Sequence, residues 1–159
     1  MASTKKMMNA LSLVIAVFLF TACASNGVTK EESLIIEKLS EVNGDFIWNA
    51  KLKRHVFSEM ERIEKITAHE NSDELIAVLV SCIDDVVLSH STLDGKKVPV
   101  GVVCYQALSQ TAYYEPTDSE GDIKGSWPGH ILPTADIKEM EEAKRAWVDV
   151  VNSKSYILY

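Results

Sequence analysis

The chain has 159 residues, 47% of them apolar, and carries 16 Lys and Arg against 23 Asp and Glu, a net charge of -7. This length fits one domain and excludes a multidomain enzyme, and the apolar fraction excludes disorder over most of the chain. Because an acidic chain repels phosphate, nucleic acid is disfavoured as a partner.

The N-terminal segment predicts export. Lys5 and Lys6 precede an apolar run from Leu11 to Phe20. Basic residues followed by about ten apolar ones are typical of a secretory signal, and the run is too short to span a bilayer. Residues 1–22 are therefore predicted to be a signal peptide.

Cys23 is the predicted lipid attachment site. The surrounding stretch Thr21-Ala22-Cys23-Ala24 resembles a bacterial lipobox, which implies cleavage before Cys23 and a lipid on its sulfur. Because no Asp follows the cysteine, the periplasmic side of the outer membrane is the expected location. The same stretch also satisfies a small-residue cleavage rule. A soluble periplasmic or secreted protein beginning at Ser25 is the alternative.

The remaining chain divides into a tether at residues 23–28 and a single predicted domain at residues 29–159. Loss of the signal removes two lysines, so 14 basic residues face 23 acidic ones and the net charge becomes -9. A surface this acidic steers cationic proteins toward it. A cationic protein partner is therefore expected.

Two cysteines remain if Cys23 is lipidated. Cys82 and Cys104 form an even pair in a chain predicted to enter an oxidising compartment, and this predicts a disulfide between them. Two free buried cysteines are the alternative, and a catalytic cysteine is the least favoured interpretation because a thiolate nucleophile needs a nearby His.

Capping signals and apolar periodicity predict about five helices in chain order. Thr29, Asp45, Asn71 and Thr134 stand where N-caps are expected, and Pro99 suits the first turn of a helix. Apolar residues follow each of them at helical spacing. The predicted helices span residues 29–42, 46–68, 75–83, 99–113 and 135–152.

Extended structure is predicted in two places. Leu93-Asp94-Gly95-Lys96 is a hairpin signal between segments 86–88 and 91–99, and residues 155–159 form a β-like tail that could pair near 86–98. Asp84 and Asp85 follow a helix C-terminus, where the dipole disfavours anions, so a solvated turn or a cation contact is expected. The predicted fold is mainly α: a compact helical domain, open to a helical-repeat layout, with a small hairpin and one long acidic loop.

The loop at residues 114–133 holds the candidate partner-binding residues. A loop this long in a compact domain is usually functional or disordered. Asp118, Glu120 and Asp122 alternate as in an EF-hand, but Ile123 stands where that motif needs Gly, and Gly129 where it needs Glu. The candidates are Glu115, Asp118, Glu120, Asp122, Trp127 and His130. The alternatives are a solvated acidic loop and, for Trp127, a core residue that pins the loop.

No motif predicts a reaction. The histidines lack zinc-ligand spacing, and neither a hydrolase serine motif nor a phosphate-binding glycine loop is present. We therefore predict no cofactor, no metal and no enzymatic activity. The rival enzyme hypothesis takes His130 as a base with Asp118, Glu120 or Asp122 as its partner.

The second half of the chain resembles small exported bacterial proteins of unassigned function. The similarity lies in the stretch from Val98 to Leu108, in Ala112-Tyr-Tyr-Glu-Pro116 and in Trp127-Pro-Gly-His130, together with Cys82. A looser resemblance is to periplasmic immunity proteins that block cell-wall amidase toxins, which are small, exported, helical and disulfide-bonded. This resemblance implies an inhibitor-like role but assigns no residue.

The sequence thus favours a non-enzymatic exported envelope protein, a lipoprotein that acts as a binding or inhibitor module for a cationic partner. It would be held at the membrane by the lipid on Cys23. The alternative is a divalent-cation-binding or structural envelope module that uses the carboxylates of residues 115–122.

Overall fold

A computed structural model describes residues 30–68, 72–117, 120–121 and 127–159. The predicted signal peptide, the tether and Cys23 lie outside these residues. The helices are α1 (Lys30–Ser40), α2 (Met60–Thr67), α3 (Ser72–Ser81), α4 (Val100–Thr111) and α5 (Ile137–Ser153). The strands are β1 (Asp45–Asn49), β2 (Arg54–Phe57), β3 (Leu88–Leu93), β4 (Lys96–Pro99), β5 (Ala112–Tyr113) and β6 (Ile157–Leu158).

The fold is α/β, so the prediction of a mainly α domain is wrong. Four strands form a mixed sheet in the order β2-β1-β3-β4, and β5 and β6 form a second, two-stranded sheet. β1 runs antiparallel to β2 but parallel to β3. This parallel pairing requires a crossover, which α2 and α3 supply.

The largest error concerns residues 46–68, which were expected to form one helix. Trp48 and Leu52 suit a helical stripe, yet both are exposed, and Phe46 and Phe57 enter the core instead. The Asn49 side-chain oxygen accepts hydrogen bonds from the amides of Lys51 (3.1 Å) and Leu52 (3.0 Å), which turns the chain back. Turn chemistry and strand pairing therefore override the apolar period, and only α2 remains helical.

Helix α4 lies at the centre of the core. Nearly every residue of its first half is buried, and it contacts α1, α2, α3 and the strands β3, β4 and β5. One face of β3 turns toward these helices, where the hydroxyls of Ser89 and Ser91 donate to the carbonyls of Val98 and Val42. The sheet and helices thus share one core.

The predicted hairpin and the helices α1, α3, α4 and α5 are confirmed, with shifted ends. Asp94 and Gly95 both have positive φ (51° and 75°), as the tight turn between β3 and β4 requires. Helix α5 is capped by Asp136 rather than Thr134, because Asp136 and Glu139 form a reciprocal capping box with both bonds at 2.9 Å.

The C-terminal tail is extended as expected, but its predicted partner is wrong. β6 pairs with β5, and the Tyr159 amide donates to the Thr111 carbonyl at 3.2 Å. Lys154 has a left-handed φ of 50° at the end of α5 and redirects the chain toward the end of α4. The tail therefore pairs with β5 rather than with the β3–β4 hairpin.

Candidate functional site

An aromatic cluster surrounds Trp127. Its ring centroid lies 4.8 Å from that of Tyr114, 5.2 Å from His130 and 5.3 Å from Trp147. Tyr114 follows β5, Trp147 lies on α5, and Trp127 and His130 belong to the long loop. The end of the long loop is therefore packed against the rest of the protein by the contacts of Trp127 with Tyr114 and Trp147.

A tight turn at residues 127–130 fixes the position of Trp127. The His130 amide donates to the Trp127 carbonyl at 3.1 Å, and Pro128 occupies the second position, where its fixed φ suits a turn. The buried Trp147 ring donates its Nε1 proton to the Gly129 carbonyl at 3.0 Å. A Cβ on Gly129 would lie 2.1 Å from the Trp127 ring, so only glycine lets that ring lie against the backbone.

A second link ties the turn to the core helix. The Tyr105 hydroxyl and His130 Nδ1 are 2.8 Å apart. Burial raises the pKa of Tyr105 to about 12, although a hydrogen bond from the backbone of Ile131 opposes the shift. Desolvation of the imidazole lowers the pKa of His130 below its usual value. At neutral pH both groups are therefore uncharged, which suits a tyrosine donating to an imidazole nitrogen.

A surface groove of about 620 Å³ runs between this cluster and α5. Tyr114, Trp127 and Pro128 form its aromatic wall. The opposite wall is a face of α5 with charged and small side chains: Glu142, Arg145, Ala146, Asp149, Val150 and Ser153. We call this feature the aromatic groove.

The wall on α5 contributes two carboxylates and one guanidinium group to the aromatic groove. Among the described residues, no ion pair involves Arg145 or Asp149, and Glu142 makes only a 3.8 Å contact with the exposed Lys138. The side chains of Asp149 and Glu142 therefore present negative charge beside an aromatic surface, with one cation between them.

Of the predicted site residues that the structure describes, only Trp127 lines the aromatic groove. His130 does not line it but packs edge-on against the Trp127 ring. Glu115 is exposed and hydrogen-bonds the Tyr113 hydroxyl, which raises the pKa of that phenol. Glu120 is exposed. Asp118 and Asp122 lie outside the described residues, so their contribution stays a prediction.

The sequence reasoning missed the α5 wall. Glu142, Arg145 and Asp149 follow one another at spacings of three and four, so they share one helical face. That face adjoins the buried stripe containing Trp147. A polar row beside a tryptophan on an amphipathic helix is the one local signal, and it does not distinguish a groove wall from ordinary solvated surface.

Two further predictions concern Cys82 and Asp84. Cys82 and Cys104 form a disulfide-compatible pair with Cα atoms 6.1 Å apart. Asp84 pairs with Lys144 of α5 at 2.7 Å, which provides the expected cation at the end of α3. The Lys144–Asp84 pair holds α5, which carries the charged wall of the groove, against the end of α3. The cysteine pair places α4 beside α3.

Within the described ranges, no three His, Cys, Asp or Glu side chains are grouped so that they could hold a metal ion. The helices of the same part of the chain are each too short or too polar to cross a bilayer.

No known family model matches the chain, nor does any curated protein or solved structure. Function must therefore be inferred from the aromatic groove itself.

Proposed function

We propose that this chain is a non-enzymatic, exported envelope protein that binds a cationic protein partner in the aromatic groove, as an inhibitor or immunity-type module does. The observation that carries the proposal is the pairing of an aromatic wall with the carboxylates of Glu142 and Asp149 on α5, across a groove of about 620 Å³. Concave sites of this size are typical of binding sites, and here charged side chains stand opposite an aromatic wall.

The two walls suit a Lys or Arg side chain. A cation over the faces of Trp127 or Tyr114 gains a cation–π interaction, and an Arg stacks there especially well. Glu142 and Asp149 offer carboxylates to its charged end. Arg145 lies between them on the helix and can donate to a backbone carbonyl or carboxylate of the same partner. The groove thus favours a folded protein segment over a free cation.

The aromatic wall is held in place before any partner binds. Trp127 is held by the 127–130 turn, by Trp147 and by Gly129. Rigid aromatic anchors lose little conformational entropy on binding, which is why they dominate interface energetics. A preformed anchor therefore lowers the entropic cost of binding a partner.

The export part of the proposal rests on the lipobox-like segment and on the cysteine pair. A disulfide-compatible Cys82–Cys104 pair is the arrangement expected of a protein that folds in an oxidising compartment. Lipid on Cys23 would keep the protein at the envelope. Mass spectrometry of the protein from its own cells would distinguish a lipidated start at Cys23 from a soluble start at Ser25.

Capture of a partner tests the groove. The exported protein is used as bait against envelope and secreted proteins at low salt, beside a Glu142→Lys/Asp149→Lys variant. A matched control, Glu37→Lys/Glu64→Lys, makes the same charge change at two exposed residues on α1 and α2. A basic protein held by the wild type and the control, but at least about tenfold more weakly by the groove variant, would support the proposal.

Two results would overturn it. One is a partner bound equally by the groove variant and the wild type, which would place the interface elsewhere. The other is binding that does not weaken as salt rises, because a charge-steered interaction must be screened. A Trp127→Ala variant separates the walls: it should lower affinity without changing the salt dependence.

A further inference from the structure

The hairpin formed by β1 and β2 projects beyond the rest of the main sheet. Pairing of β1 with β3 is limited to Asp45–Thr92 and Phe46–Leu93, whereas pairing with β2 continues to Asn49–Arg54. Within the described residues, the hairpin from residue 47 onward therefore has no third strand beside it. We call residues 47–54 the basic hairpin tip.

This tip carries positive charge in an otherwise acidic chain. Lys51, Lys53 and Arg54 are exposed, and no acidic residue occurs between Asp45 and Glu59. None of the three cations forms an ion pair with another described residue. The tip is therefore a local cationic site that the net charge of the protein conceals.

The same tip exposes large apolar side chains. Ile47 is 55% exposed, Trp48 57% and Leu52 50%. Neighbouring residues of a strand point to opposite faces, so Ile47 and Trp48 present apolar surface on both sides of the hairpin. The Trp48 ring is supported by the edge of His55, with centroids 5.3 Å apart.

We propose that the basic hairpin tip docks on an anionic lipid bilayer, with Trp48 and Leu52 entering the headgroup layer. A rigid protein partner would cover one face of a projecting hairpin, whereas a headgroup layer surrounds both. Tryptophan prefers the membrane–water interface, and Lys and Arg bind anionic lipids there. This surface is separate in sequence from the aromatic groove, so the inference does not depend on the proposed function.

Vesicle binding of the full chain tests the docking. Phosphatidylcholine vesicles are compared with vesicles containing about one-third phosphatidylglycerol, because anionic lipid supplies the attraction. An apolar N-terminal segment or a lipid on Cys23 contributes alike in every variant. The quantity to measure is therefore the preference for anionic over neutral vesicles in each variant.

Reversing the three charges should remove most of this preference. The variant Lys51→Glu/Lys53→Glu/Arg54→Glu should bind anionic vesicles at least roughly a hundredfold more weakly than the wild type. Each basic residue near such a surface contributes about fivefold, and each added Glu is repelled by the lipid. Its binding to neutral vesicles should be unchanged. Circular dichroism should show an unaltered fold, because all three side chains are exposed.

A matched charge control excludes a general electrostatic effect. Lys30→Glu/Lys38→Glu/Arg62→Glu changes three other exposed residues that lack described ion pairs, and it should retain the preference within about threefold, because the attraction decays within a Debye length of the lipid surface. An equal loss in this control would overturn the proposal. So would tip-dependent binding to an oligonucleotide without any preference for anionic vesicles, which would assign the tip to nucleic acid.

The apolar part has its own test. Trp48→Ser should weaken binding to anionic vesicles by about tenfold, because an interfacial aromatic ring is lost. Leu132→Ser, at a 65% exposed residue outside the tip, should have no such effect. Full binding by the Trp48 variant would show that the apolar residues do not enter the headgroup layer and would refute docking in this form.

Discussion

The contact between Gly129 and Trp127 predicts a large effect of adding a single methyl group. A Cβ on Gly129 would lie 2.1 Å from one Trp127 ring atom and 2.3 Å from two others. Because carbon atoms pack at about 3.5 Å or more, the ring or the turn must retreat by more than about 1 Å. The backbone itself offers no obstacle, since Gly129 does not have positive φ.

The cost of Gly129→Ala follows from what that movement disturbs. Overpacking of this kind costs about 1–3 kcal/mol, and each weakened ring contact of Trp127 adds about 0.5–1.5 kcal/mol. Displacing the Gly129 carbonyl also threatens the only described hydrogen bond of the Trp147 indole. We expect the free energy of unfolding to fall by about 2–3 kcal/mol in total.

Urea unfolding followed by far-UV circular dichroism measures this loss. Tryptophan fluorescence is unsuitable, because moving the Trp127 ring changes its emission even when stability does not change. The control is the same substitution in a Trp127→Ala background, where the clashing ring is gone. There Gly129→Ala should cost less than about 0.5 kcal/mol, because the loss of unfolded-state entropy stabilises. Equal losses in both backgrounds would refute the steric explanation.

Three further predictions concern stability. Replacing Cys82 and Cys104 together by Ala should lower the free energy of unfolding by about 3 kcal/mol, and dithiothreitol should produce the same loss in the wild type but none in the variant. Lys144→Met should cost about 1 kcal/mol, because this side chain is only 31% exposed and its ammonium group bonds a carboxylate and a backbone carbonyl. Lys138→Met, whose ion pair is exposed, should cost less than about 0.5 kcal/mol. Because the folded state lowers the pKa of His130, its stability contribution is present above pH 6.5 and is lost as the pH falls through the folded-state pKa. Urea unfolding between pH 7.5 and 5.5 should therefore show a steeper loss in the wild type than in His130→Asn, and parallel curves would contradict the assignment.

Turn residues and apolar periodicity predicted several secondary-structure elements correctly. The Asp94-Gly95 turn, the apolar run of α3 and the buried face of α4 were each visible in the sequence, since turn residues and periodicity act within a few residues. The prediction for residues 46–68 failed because their apolar spacing fits a helix, whereas β1 pairs with β2 across the Asn49 turn and with residues near Leu93. Tertiary context overrode a local preference there.

The candidate site was predictable only in part. Trp127 was a candidate because a tryptophan beside acidic residues can anchor an interface, and it both lines the groove and packs partly buried against the core. Glu142, Arg145 and Asp149 could not be identified, because a charged helical face becomes a groove wall only when a distant loop returns beside it. Tyr105 was likewise hidden, since its link to His130 joins residues 25 apart.

The parallel pairing of β1 with β3 sets an order for the assembly of the molecule. Helix α3, the β3–β4 hairpin and α4 are contiguous in the chain, and the Cys82–Cys104 pair joins them over a separation of only 22 residues. Asp45 and Thr92, by contrast, are 47 residues apart, and closing so long a segment is slow. The β1–β2 hairpin therefore leaves the ribosome before its partner strand exists. The hairpin must wait for β3 before the main sheet can form, so the sheet is completed only after the local β1–β2 pairing already exists.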